Sequence, residues 1–165
     1  MMMKYTGTLI AVSDMEKSKK WYNQVLGLEI VADFGANVTL DGGIALQTID
    51  SWKAFIRTDN IILPNHGCEL YFEEEDMDGF CQHLKKYDIV YVHQLFEHRW
   101  GQRVIRFYDL DKHIIEVGEK MDRVVNRFIE QGLSIEETAI RMDIPVDFVI
   151  SCVASYQAGL ADTIV

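Results

Sequence analysis

The feature that most constrains this chain is an internal repeat. In the first half, "TLIAVSDMEKSKKWYNQVLGLEIVA" reads as a strand followed by a helix. Asp14 stands at the helix N-cap, where a carboxylate accepts from a backbone N–H that has no partner inside the helix. Ser18, Tyr22, Val25 and Leu26 fall on one helical face, and Gly27 sits where a left-handed residue ends a helix. The same order returns in "CELYFEEEDMDGFCQHLKKYDIVYV", with Asp76 as cap and Met77, Phe80, Leu84 and Tyr87 as the face. Each helix is followed by short β-rich runs: "LEIVADFG", "NVTLD" and "IALQTI" in the first half, "IVYVHQL", "QRVIRFYD" and "HIIEVG" in the second. Gly35, Asp41-Gly42-Gly43 and the segment Asp109–Lys112 mark the turns. The chain therefore reads as α+β, two βαβββ units joined by the linker "DSWKAFIRTDNIILPNHG". Periodicity alone leaves a ferredoxin-like pairing of the same elements open.

Composition narrows the partners. At 165 residues this is one domain, or one domain with an appendage. The 16 basic and 26 acidic residues leave a net charge of −10, which disfavours nucleic acid or an anionic membrane as partner. The N-terminal apolar run is too short for a signal peptide, and no segment approaches the roughly 20 apolar residues of a membrane span. Cys68, Cys81 and Cys152 are scattered and odd in number, and read as free thiols of a reducing cytoplasm.

One residue breaks the pattern chemically. Glu116 is set inside the apolar strand "HIIEVG", and desolvating a carboxylate is costly unless it is paired or coordinated. It calls for a metal, a ligand, a proton, or hydration at an edge.

The segments "LIAVSDMEKSKKWYNQVLGLE", "ELYFEEEDMDGFCQHLKK" and "RFYDLDKHIIEVGE" resemble the vicinal oxygen chelate superfamily, which holds glyoxalase I, bleomycin-resistance and extradiol dioxygenase proteins. The resemblance runs from Lys4 to Glu119, with "DLDK" standing where the family usually has "DPDG". It implies a domain over residues 1–118, with units at about 4–58 and 67–118, whose mixed sheet curls into a cup around a cleft; residues 119–165 lie beyond it and read from their own pattern as a helical extension. It also implies four inward-pointing chelating positions, which fall here on Gly7, Gln47, Glu69 and Glu116. Gly7 has no donor, and only Glu116 fits the family's pattern without adjustment. An amide and two carboxylates with no imidazole form an oxygen-only set, poor for zinc, nickel or iron. They suit at most a weakly held divalent cation: manganese or magnesium first, nickel or zinc after them. If Glu116 faces the cleft together with Gln47 and Glu69, two carboxylates stand close, and repulsion should raise one pKa into the range useful for proton transfer.

The least generic phrase is "EHRWGQRV". His98 can carry a proton near neutral pH, Trp100 offers an apolar plane, and Gln102, Arg103 and Arg106 can hold a polar or anionic ligand. The plainer reading packs Trp100 under the sheet and sets the arginines against an acidic surface. His66, near Glu69 in sequence, is a substitute ligand; His83 reads as solvated, and His113 alternates away from Glu116.

After Gly118 the pattern becomes helical. Met121, Val124, Val125, Phe128 and Ile129 form one stripe ending at Gly132, Ser134 and Glu137 form a capping box, and Pro145 opens a third helix with Val146, Val149, Ile150 and Val153. The outline resembles a helix-turn-helix, hence a ligand-sensing regulator. Against it, four basic residues face seven acidic ones from Lys120 onward, and the third helix has no Lys or Arg for phosphates or bases. The helices read instead as an appendage packed on the domain or extending a homodimer interface.

Two readings of function follow. In the first, the protein is a glyoxalase-like lyase or isomerase acting on a small organic molecule, with Glu116 and His98 moving protons. In the second, the same cleft binds or sequesters a small molecule without chemistry, as resistance proteins do. The donor set yields a direct expectation: purified protein should carry well below one transition metal per chain by elemental analysis. Near-stoichiometric zinc, nickel or iron that disappears in Glu116→Gln would overturn it.

Overall fold

The computed structural model describes residues 2–64 and 66–162, the last four of these by backbone alone; residues 163–165 of the expected extension lie outside it. Contacts gather the chain into two units. The first takes the chain up to Glu69 with Tyr87–Val90 and Tyr108–Ile114; the second takes Leu70–Lys86, Tyr91–Phe107 and everything from Ile115 on.

In the first unit, strand β1 (Thr8–Val12) leads into helix α1 (Met15–Leu26), followed by β2 (Ile30–Asp33), β3 (Asn37–Leu40) and β4 (Ile44–Thr48). The sheet order is β1-β4-β3-β2, with β1 parallel to β4 and the other pairs antiparallel. Helix α1 begins and ends as its sequence demands: the Asp14 carboxylate accepts from the Lys17 N–H at 3.1 Å, and Gly27 closes the helix at φ 73°. Its buried face carries Ser18, Tyr22 and Val25, while Val38, Leu40 and Leu46 fill the sheet side. Gly7 owes its identity to close packing of backbone. A Cβ there would lie 2.3 Å from the Gly43 carbonyl oxygen, so no chelating side chain fits at that position.

The linker contains an element that periodicity did not announce, the eight-residue helix α2 (Ile49–Ile56). Its start overlaps "IALQTI", where a strand was expected to continue through Ile49. Ser51 turns the chain by donating to the Thr48 carbonyl at 2.9 Å. Two turns of helix are too short to establish a period against a neighbouring strand.

The turn at Asp109–Lys112 is held by buried polar groups. Asp109 Oδ1 accepts from the backbone N–H of Asp111 at 2.9 Å and of His113 at 2.8 Å, and Asp109 Oδ2 accepts from the Tyr22 hydroxyl at 2.7 Å. Burial pushes the Tyr22 hydroxyl well up, and the Asp109 charge adds to it, so the phenol stays a donor. Lys112 takes a left-handed φ of 71°, the conformation for which the family's turn uses glycine.

In the second unit, β5 (Glu69–Glu74), α3 (Met77–Leu84), β6 (Tyr91–Glu97), β7 (Arg103–Tyr108) and β8 (Ile114–Glu119) repeat the scheme, with sheet order β5-β8-β7-β6. Asp76 caps α3 by accepting from Gly79 N–H at 2.9 Å. Alternation along β7 and β8 sets Ile105, Phe107, Ile115 and Val117 on one fully buried face, and Phe80 of α3 reaches the Phe107 ring. At the end of that face stands a charge. Glu119 is 2% exposed and takes Arg103 through Nη2 at 3.0 Å and Nε at 3.1 Å. Arg103 also reaches Asp78 of α3 at 3.1 Å.

The extension forms α4 (Met121–Glu130), α5 (Ile135–Met142) and α6 (Val146–Asp162). The Ser134–Glu137 capping box is complete, with both reciprocal bonds made. Val124, Val125, Phe128, Ala139, Met142, Val149 and Cys152 bury one another in a single cluster. This small core is tied to the sheet by Arg127, whose Nη2 binds Glu119 at 3.0 Å and the Gly101 carbonyl at 2.6 Å. No helix among the described residues is long and apolar enough to cross a membrane.

Burial opposes the charge on Glu119, but the hydrogen bonds and charges of Arg103 and Arg127 together outweigh it and hold the carboxyl below its usual range. The unfolded chain therefore takes up this proton first. The contribution to stability is complete above the unfolded value of about 4.3 and is lost as the pH falls through the lower folded value. Arg127→Ala should cost about 2 kcal/mol in denaturant unfolding at pH 7, with a smaller difference from the parent chain near pH 3. Equal stabilities at neutral pH would show that Arg103 alone satisfies the carboxylate.

Candidate functional site

The opposite face of the second sheet carries the chemistry. Residues that alternate with the buried apolar set, namely Tyr71 on β5, Val104 and Arg106 on β7, and Glu116 and Gly118 on β8, share this face with His93 and Phe96 of β6. Glu116 is 6% exposed, and its Oε2 meets Arg106 Nη2 in an ion pair. That is the partner its place in an apolar strand demanded.

The pair extends along the sheet. Arg106 Nη1 lies 3.3 Å from His93 Nε2, and His93 Nδ1 lies 2.8 Å from the Gln94 carbonyl. Because a guanidinium only donates and a carbonyl only accepts, the consistent assignment is a neutral imidazole with its proton on Nδ1. Arg106 and Glu116 then cancel, and this polar patch carries no net charge.

Beside it runs an aromatic surface. His98 stacks on Trp100 with ring centres 4.1 Å apart and planes within 7°, and Phe96 meets the His98 ring edge-on at 5.2 Å. Phe96 is 54% exposed, so this surface is open to a second molecule. Burial, followed by the charge of Arg106, holds His98 below its ordinary imidazole value, so it is neutral at pH 7. The surface is anchored by Gln102, 8% exposed, which accepts from Trp100 Nε1 at 3.2 Å and donates to the Tyr71 hydroxyl at 3.2 Å and the Glu119 carbonyl at 3.0 Å. Gly118 leaves room for this arrangement, since a Cβ there would press on Gln102 and Tyr71 at 3.0–3.1 Å.

The structure thus brings His98, Trp100, Gln102, Arg106 and Glu116 together, and separates Arg103 from them. Arg103 points to the α3 side of the sheet, where Glu119 and Asp78 raise its already high pKa and hold it as a structural cation. The remaining two expected site residues belong to the first unit. Gln47 is 1% exposed; its Oε1 accepts from Asn37 at 2.8 Å, and its Nε2 is bonded to Ser51 Oγ. Glu69 is exposed at the start of β5. Tyr71, His93 and Phe96 escaped sequence reasoning. Alternation along β5, which sets Tyr71 two residues from Glu69, carried the signal for Tyr71, whereas His93 and Phe96 share this face only through the register shifts of β6 against β7.

The donor set does not fit a divalent metal as it stands. Gln47 spends its amide on Asn37 and Ser51, Glu116 faces a guanidinium where a cation would have to approach, and no group of three or more His, Cys, Asp or Glu among the described residues is placed to hold a metal ion.

Comparisons with known proteins agree with this architecture. A family model described as a glyoxalase-like domain matches residues 5–122. A comparison with curated proteins gives no match. Among solved structures, a protein of unknown function from Agrobacterium tumefaciens is 35% identical, with a TM-score of 0.66 over 73% of this chain and 96% of that one. A lactoylglutathione lyase from Agrobacterium tumefaciens is 22% identical, with a TM-score of 0.54 over 72% of this chain and 94% of its own. A genomically encoded fosfomycin resistance protein from Listeria monocytogenes is 16% identical, with a TM-score of 0.56 over 73% and 95%. At such identities these last two share the fold with this chain. Residues 123–165 fall beyond the matched domain, so most of the helical extension is additional to it. With the family model spanning well over half its length, the chain belongs to the family of glyoxalase-like domains.

Proposed function

We propose that this protein binds a small, flat organic molecule on the β5-β8-β7-β6 sheet, without a metal ion. The observation that carries the reading is the pairing of Glu116 with Arg106, which commits the one chelating residue that matched the family's pattern. A neutralised pair gives a bound molecule one donor group and one acceptor group side by side. The adjacent Phe96, His98 and Trp100 rings offer a flat apolar surface for stacking. The ligand chemistry that fits is an uncharged aromatic or heteroaromatic ring whose edge carries both a hydrogen-bond donor and an acceptor, such as an amide. An anionic ligand would have to displace Glu116 from Arg106.

The lyase or isomerase reading retains one favourable observation. His98 is neutral at pH 7 and can accept a proton. The expectation of a homodimer stands beside it, supported by the exposed apolar residues Ile30, Val31 and Phe34 on and after β2.

Two measurements separate the readings. The hemithioacetal of methylglyoxal and glutathione should show no turnover above background, with or without added manganese or nickel. Benzamide, followed by the Trp100 indole N–H in NMR spectra, should bind, and Arg106→Gln should weaken it roughly tenfold through the loss of one charge-assisted contact. Hemithioacetal turnover abolished by Glu116→Gln would replace the binding reading with the catalytic one.

A further inference from the structure

The segment that presents His98 and Trp100 is the connection between β6 and β7, and the C-terminal helices grip it at alternate residues. Arg141 of α5 donates through Nη1 to the Arg99 carbonyl, and its Nη2 lies 3.7 Å from Glu97. Arg127 of α4 donates to the Gly101 carbonyl at 2.6 Å and approaches Glu97 at 3.7 Å. Both arginines also meet the Phe128 ring, with each guanidinium carbon 5.1 Å from its centre. That ring presses on Gly101, where φ is +93° and an added Cβ would come within 2.4 Å of it. Trp100 itself borders a pocket of about 290 Å³ with Met121, Met142 and Ile144 of the extension. One stretch of five residues thus has His98 and Trp100 on the ligand face and two of its carbonyls held by helices that the family domain does not include.

We infer that the C-terminal helices are a working part of the ligand site: Arg141, with Arg127 and Phe128, is a positioning residue that holds the His98–Trp100 stack in place on the sheet. The inference rests on the reading of that face as a binding surface. A free connection of this length samples many conformations, and a stacked pair of rings offers a ligand little unless it is held before binding. Two carbonyl anchors, one exposed and one half-buried, and a glycine fitted to an aromatic ring supply that restraint. Arg141 is the member to test, because its side chain is 41% exposed and its removal strands no buried charge.

Arg141→Ala should leave the melting temperature within a few degrees of the parent. It should move the His98 imidazole titration, read by NMR and assigned with His98→Gln, upward toward the ordinary value of about 6.5 as the ring becomes hydrated. Benzamide binding should weaken roughly tenfold, and Arg141→Lys, which can still reach the carbonyl, should recover most of it. A second variant removes the confounding effect of charge. Glu97→Gln deletes a negative charge near His98, which acting through space would lower its pKa; loosening of the clamp would raise it. An upward movement in both variants supports positioning. An unchanged or lowered His98 titration in Glu97→Gln, or an unchanged titration and affinity in Arg141→Ala, overturns it. If the parent protein fails to bind benzamide while His98 still moves upward in both variants, the clamp stands and the ligand class is what fails.

Discussion

The carboxylate of Glu119 is the interaction on which the second half of this molecule depends. It is almost fully buried at the end of β8, and the cost of placing a charge there is offset only because two guanidiniums converge on it. Each guanidinium has a second engagement. Arg103 goes on to Asp78 of α3, and Arg127 goes on to the Gly101 carbonyl. One charge therefore ties the sheet, the helix on its apolar side, the C-terminal helices and the loop that carries Trp100. The backbone carbonyl of the same residue accepts from Gln102, which in turn holds Trp100 and Tyr71. Removing any one partner leaves a buried group unsatisfied, which is the circumstance in which polar networks are most costly to disturb.

The two glutamates of β8 show how strand alternation sorts like residues into unlike roles. Glu116 and Glu119 differ by three positions and so lie on opposite faces. Glu119 meets arginines from β7 and α4 on the packed side; Glu116 meets Arg106 from β7 on the side that carries the aromatic rings. Arg103 and Arg106 are sorted in the same way. In a fold whose relatives include lyases and resistance proteins, such sorting decides which carboxylates remain available to a metal or a substrate. Here the carboxylate at the matching position is already paired.

Much of the fold could be read from the chain because its signals are local. Asp14 with Gly27 marks the start and stop of one helix and Asp76 the start of the other, and the two units repeat, so each confirms the other. The Ser134–Glu137 box and the apolar stripe from Val124 to Val149 announce the terminal helices equally well. The helix at Ile49–Ile56 was not legible, being two turns long and continuous with a strand. At the site, His98, Trp100, Arg106 and Glu116 could be singled out by their residue types and neighbours. Arg103 carried the same signal as Arg106 and has a different task, because nothing in the sequence names Glu119 and Asp78 as its partners.

The sequence by itself determined the α+β repeat, the family, and the presence of a chemically unusual strand residue at Glu116. It could do so because caps, periodicity and donor type are properties of residues a few positions apart. Only the tertiary structure decided that Glu116 is spent on Arg106, that Gly7 is a backbone contact with Gly43, and that Arg127 and Arg141 reach back to the loop at Arg99–Gly101. These pairings join residues brought together by sheet order and helix packing. Which charge meets which is set by the register and by burial, and neither is written in local sequence.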